Sequence, residues 1–179
     1  MRIMYKKSIL LFCLILSGCS TAALLGIKES YSTVEDAQKN CEVKIGQYDK
    51  TDRVILPGGA LESRYFLKYV ANQAKATSGL YGIQADYWGD DWIFVNSCYD
   101  SNGKNLNCSP VDSKAHGRKV DEIVSILTPR EYLQDASAAG GLKFQLNGKR
   151  GNAEFFIPSI SIEGFLKCVD EYKQDKGTK

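Results

Sequence analysis

Cys98 and Cys108 bracket the run Asp100-Ser101-Asn102-Gly103, a concentration of residues that favour tight turns. Trp92 to Cys98 (WIFVNSC) leads into that run with the plainest strand character in the chain, and Leu106 to Val111 leads out of it. The spacing predicts a hairpin whose arms are stapled by the two sulfurs. Antiparallel pairing of this kind fits the rest of the sequence. Ser63 to Val70 (SRYFLKYV) and Leu80 to Tyr87 read as strands joined by a polar loop over Asn72 to Gly79. Trp88-Gly89-Asp90-Asp91 reads as a turn, and Val120 to Leu127 as a further strand. Thr128-Pro129-Arg130-Glu131 has the order of a capping box, opening a short helix that Gly140-Gly141 ends. Leu142 to Leu146 and Ala153 to Ile157 flank a turn-rich segment as a second hairpin, with Phe155-Phe156-Ile157 read as a buried strand ended by Pro158. Ser161 to Tyr172 closes the chain as a helix with Ile162, Phe165, Leu166 and Val169 on one face. Val34 to Lys44 fits a short helix or an extended lead-in. The expected fold is mainly β with a minor α+β component: an antiparallel sheet, sandwich- or half-barrel-like, carrying one or two short helices.

The first residues are organised differently. Arg2, Lys6 and Lys7 precede an apolar run from Ser8 to Leu16, followed by the small residues Ser17 and Gly18. That three-part order is the architecture of a secretory signal, and the run is shorter than the roughly 20 residues that a bilayer-spanning helix needs. Leu16-Ser17-Gly18-Cys19 resembles the lipobox of bacterial lipoproteins. The resemblance implies cleavage before Cys19, diacylglycerol on its thiol and acylation of the new amino terminus, a multi-chain anchor in the lipid bilayer. Ser20 rather than aspartate after Cys19 implies, by analogy with Gram-negative lipoproteins, sorting to the outer membrane with the domain facing the periplasm. The expected organisation is a signal peptide over 1–18, a lipidated tether over 19–38 and a single disulfide-stapled β-rich domain over 39–174. The segments SRYFLKYV, GDDWIFVNS and GFLKCVDEY, spread over residues 63 to 172, together resemble uncharacterised envelope proteins of Gram-negative bacteria. That resemblance implies a β fold and no assigned activity.

Composition narrows the partners. Of 179 residues, 23 are basic and 21 acidic; loss of Arg2, Lys6 and Lys7 with the signal leaves 20 basic residues and a net charge of about −1. No basic excess remains to draw the domain to nucleic acid. Four of the six cysteines fall within the domain: Cys41, Cys98, Cys108 and Cys168. In an exported chain these read as disulfides, and of the three possible pairings Cys98–Cys108 with Cys41–Cys168 suits the turn signal best. A zinc site lacks the close C-x-x-C pair that it would require.

Catalytic patterns are sparse. The one histidine, His116, lies in a polar stretch that reads as an exposed loop, and no G-x-S-x-G elbow is present. Asp86, Asp90 and Asp91 lack the alternating spacing of a calcium loop and read as turn chemistry, so neither a metal nor a cofactor is expected. Glu122, Glu131 and Glu154 offer carboxylates without a pattern that singles out a pair for wall hydrolysis. Aromatic side chains are dense between Tyr81 and Tyr99. Trp92 and Phe94 alternate in step and read as core, whereas Tyr87 and Trp88 flank the turn and form the candidate binding surface.

These readings give a membrane-anchored envelope lipoprotein, held at the bilayer by Cys19, that acts as a non-enzymatic binding or assembly module for an envelope protein. The alternatives are an inhibitor of cell-wall-degrading enzymes, presenting Ser109 to Arg118 as an inserting loop, and a wall hydrolase.

Overall fold

A computed structural model describes residues 30–177. The expected signal peptide, Cys19 and the expected tether up to residue 29 lie outside the described residues. The fold is mainly antiparallel β, with two sheets and three α-helices among the described residues. In chain order the elements are α1 (Val34–Lys39), β1 (Glu42–Ile45), β2 (Thr51–Ala60), β3 (Ser63–Asn72), β4 (Leu80–Gly89), β5 (Val95–Asp100), β6 (Cys108–His116), β7 (Lys119–Leu127), α2 (Arg130–Ala138), β8 (Gly141–Gly148), β9 (Asn152–Pro158) and α3 (Ser159–Gly177). The large sheet runs β1-β2-β3-β4-β7-β6 and the small sheet β5-β8-β9. No helix among the described residues is long and apolar enough to cross a membrane.

Alternation decides which face of each strand is covered. Val54 and Leu56, Tyr65, Leu67 and Tyr69, Ile83 and Ala85, and Val124 and Ile126 line one face of the large sheet and are buried. Against them pack Ile162, Phe165 and Val169 of α3, Leu133 of α2, and Phe144, Leu146, Phe155 and Ile157 from the inner face of the small sheet. Polar bonds fix α3 on this surface. The Arg130 guanidinium donates to both carboxylate oxygens of Asp170 at 2.7 Å and to the Tyr81 hydroxyl at 2.9 Å. The fully buried Asp52 accepts from Tyr172 Oη at 2.8 Å and Gln73 Nε2 at 2.9 Å, and lies 2.9 Å from Lys176 Nζ.

Several expectations are corrected. Among the described residues, packing reaches back from residue 39 to Tyr31: Tyr31 is buried with its hydroxyl on the Pro57 carbonyl, and α1 rests on α3 where Gly164 lets Ala37 approach. A Cβ on Gly164 would lie 2.4 Å from that of Ala37. β2 is not among the expected strands, and Pro57-Gly58-Gly59 within it has the composition of a breaker. Proline is tolerated there because β1 pairs only with Asp52 to Ile55, leaving Pro57 on an edge. Leu106 to Val111 does not return against β5. The hairpin arm contributes a single bridge, Tyr99 to Asn105, before β6 departs to pair with β7. Thr128 is not the helix cap, because its amide still bonds Tyr81 across the sheet; Pro129 occupies the cap position without a side-chain bond.

Cys98 and Cys108 form the expected disulfide, with Cα atoms 5.9 Å apart. It ties the small sheet to the edge of the large one rather than two arms of one hairpin. Cys41 and Cys168 meet but are free thiols rather than the expected second bridge. The neighbouring Cys168 thiol, together with burial, pushes the Cys41 thiol up.

Replacing Cys98 and Cys108 by alanine will lower stability by about 2–4 kcal/mol in urea unfolding, the usual worth of such a cross-link. Asp52 sets an acid limit. Burial alone would raise its carboxyl, but the bonds from Lys176, Gln73 and Tyr172 outweigh burial and hold it below the ordinary value. A carboxylate depressed in the folded state contributes stability above its unfolded value, near 3.9, and loses it as pH falls through the lower folded value. The Asp52→Asn variant will be less stable at neutral pH, and its stability will vary less with pH below about 4 than that of the parent.

Candidate functional site

The sequence places its candidate surface at Tyr87 and Trp88, and the pleat of β4 separates them. Tyr87 lies opposite Glu122 on the covered face, half-buried, with its hydroxyl donating to the Asp91 carbonyl at 3.3 Å. Trp88 lies opposite Asp121 on the outer face, half-buried, with its ring 5.0 Å from that of His116. His116 is exposed, as expected, but ends strand β6 instead of sitting in a loop. Beside Trp88, Arg64 lies 3.8 Å from Asp86 and 3.9 Å from Asp121. Burial raises the Asp86 carboxyl, against the lowering influence of Gln84 and Arg64. Asp90 is 3.0 Å from Lys119 at the strand end. Among the described residues no group of three or more His, Cys, Asp and Glu is placed to hold a metal ion.

Trp92 and Phe94 correct a second expectation. The buried Glu122 carboxylate accepts from three successive amides: Ile93 at 2.6 Å, Phe94 at 3.1 Å and Val95 at 3.1 Å. Strand β5 therefore starts only at Val95, and Phe94 is held at φ 55, a conformation that costs an aromatic residue about 1–3 kcal/mol. Inside the core are Ile93 and Val95, while Phe94 is 43% exposed. Its ring stacks on Trp92 at 6.0 Å, and the Arg150 guanidinium lies 5.2 Å from its centroid.

The outer face of the small sheet forms a groove of about 990 Å³ that the sequence reading missed. Cross-strand pairing arranges its floor in rows. Tyr99, Gln145 and Glu154 form one row across β5, β8 and β9; Lys143 and Phe156 form the next, and Asn147 stands beyond Gln145. Phe156 is 48% and Tyr99 38% exposed, so Phe156 is not part of the buried strand expected for it, although Phe155 and Ile157 are. Gly59, Ala60 and Ser63 at the β2–β3 turn bound one side, and Ser101 and Gly103 the other. Asp100 fixes that second boundary: it accepts from the Asn102 and Lys104 amides at 2.9 Å and from Tyr132 Oη at 2.7 Å. Burial would raise its carboxyl, but these bonds outweigh it and hold the group below the ordinary range, so the turn is braced by a charged acceptor. Within the groove, Gln145, Asn147 and Glu154 make no side-chain hydrogen bond to another described residue.

The remaining chemical candidates are dispersed. Glu122 faces the core, Glu131 is exposed in the first turn of α2, and Glu154 lines the groove, so the three carboxylates face no common point. Ser109 to Arg118, expected as an inserting loop, is edge strand β6 followed by the turn at Gly117. Comparison with models of known protein families, with curated protein sequences and with solved structures gave no match in any of the three. The site must therefore be judged on its own geometry.

Glu122→Gln will cost about 2 kcal/mol in urea unfolding, because a charged acceptor shared by three amides becomes a neutral one with a single carbonyl oxygen.

Proposed function

We propose that this chain is an envelope lipoprotein, cleaved before Cys19 and held in the bilayer by acyl chains on that residue, whose β domain is a non-enzymatic binding or assembly module. The order of charge, apolar run and Leu16-Ser17-Gly18-Cys19 supports the anchor. The groove on the small sheet carries the binding reading. It joins exposed rings to polar side chains with open bonding capacity, the mixture that concave recognition sites use. Ser20 after Cys19 supports an outer-membrane position facing the periplasm. The contact surface in this reading is the face bearing Tyr99 and Phe156, in place of Trp88 and Tyr87.

Both halves are open to test in cells. Cys19→Ser will abolish incorporation of labelled palmitate and release the protein from the membrane fraction. A photo-crosslinking amino acid at position 156 will yield a discrete adduct, while the same probe at position 48, where Tyr48 is 98% exposed and precedes the end of β2 opposite to Gly59 and Ala60, will not. Palmitate incorporation that survives Cys19→Ser would refute the anchor, and the absence of any adduct at position 156 would refute the binding surface.

A further inference from the structure

We infer that the groove takes a neutral oligosaccharide, lying across the strands of the small sheet. This rests on the reading of the groove as the binding surface and names the chemistry of what it holds. The argument begins with the two exposed rings. Tyr99 stands on β5 and Phe156 on β9, two strands and one row apart, so their backbones are about 12 Å from each other by ordinary strand spacing. One small planar ligand does not reach both, whereas a short chain of saturated rings does.

The polar groups between the rings point the same way. Gln145 lies between Tyr99 and Glu154 in a single row, and Asn147 stands two residues further along β8. Amide and carboxylate groups offer paired donors and acceptors in a plane, which suits vicinal hydroxyls and acetamido groups. Rings that are exposed on a sheet face, instead of recessed in an apolar pit, are accessible to the C–H face of a sugar, with Lys143 Nζ, 5.9 Å from the Phe156 centroid, the group that such a ligand displaces. Lys143 and Glu154 balance each other on the floor, and the Asp100 carboxylate at the boundary is already taken up by the Asn102 and Lys104 amides and by Tyr132, which favours a neutral ligand over an acidic or basic one. An extended peptide is the competing occupant, and would call for alternating side-chain pockets beside a bonded strand edge. The floor has its ring and amide groups spread over three strands instead.

The test is calorimetric titration of the full chain, in zwitterionic micelles free of glycosidic detergent, with chitotetraose and cellotetraose. Saturable binding of at least one tetrasaccharide is expected, weakened about tenfold by Tyr99→Ala and by Phe156→Ala and left unchanged by Tyr48→Ala. Both ring positions are partly exposed, and unchanged near-ultraviolet circular dichroism and urea midpoints will verify that the variants fold. Absence of heat with both sugars, or binding that the two ring variants leave intact, overturns the inference. If the probe at position 156 still yields its adduct while neither sugar binds, the saccharide assignment alone falls and the adduct identifies the competing class. If the adduct is absent as well, the binding reading falls with it.

Discussion

The Glu122 carboxylate is the joint on which the two sheets turn. It belongs to the large sheet, yet its bonds go to the amides of Ile93, Phe94 and Val95 at the start of the small one. A buried carboxylate needs such donors, since an unpaired charge in the interior is costly. The three amides likewise gain an acceptor at the start of β5, where Val95 is the first paired residue. This one exchange decides where β5 starts and which of its neighbours enter the core. It also holds Phe94 outward against its backbone preference. The disulfide repeats the connection at Cys98, three residues beyond Val95, so the small sheet is fastened to the large one at two points along β5.

Elements with a single clear periodicity were legible in the sequence. β3, β4, β7, the β8–β9 hairpin and α3 all declare themselves through alternation or helical spacing, and the structure places them within a few residues of the reading. The expected class, mainly antiparallel β with minor helix, holds for the same reason. Failures cluster where a distant residue overrides a local preference. WIFV looks like a continuous strand until Glu122 captures its amides. Pro57 looks like a breaker until the shortness of β1 leaves its position unpaired. Tyr31 looks like tether until Pro57 offers it a carbonyl and α3 offers α1 a seat.

The groove illustrates a different limit. Its floor residues were visible as alternating polar and aromatic positions on β8 and β9, but Phe156 was read with its apolar neighbours. Alternation should have set it apart: Phe155 and Phe156 are adjacent on a strand and cannot both face the core. Tyr99 carried no such signal, because its outward face follows from a register fixed only by the pairing of β5 with β8. No local pattern reveals that the β2–β3 turn comes to lie beside β9, since the two are separated by most of the domain.

That separation also shapes assembly. β2, β3 and β4 form a meander of neighbouring strands, whereas β4 meets β7 only after the intervening β5 and β6 have been looped out. Local pairings close at small entropic cost and distant ones at greater cost. One boundary of the groove is thus drawn from the meander, while its floor is drawn from strands in the second half of the chain. The groove is a product of the completed fold, with no counterpart in either half, so partially assembled chains would not compete with finished ones for the proposed ligand.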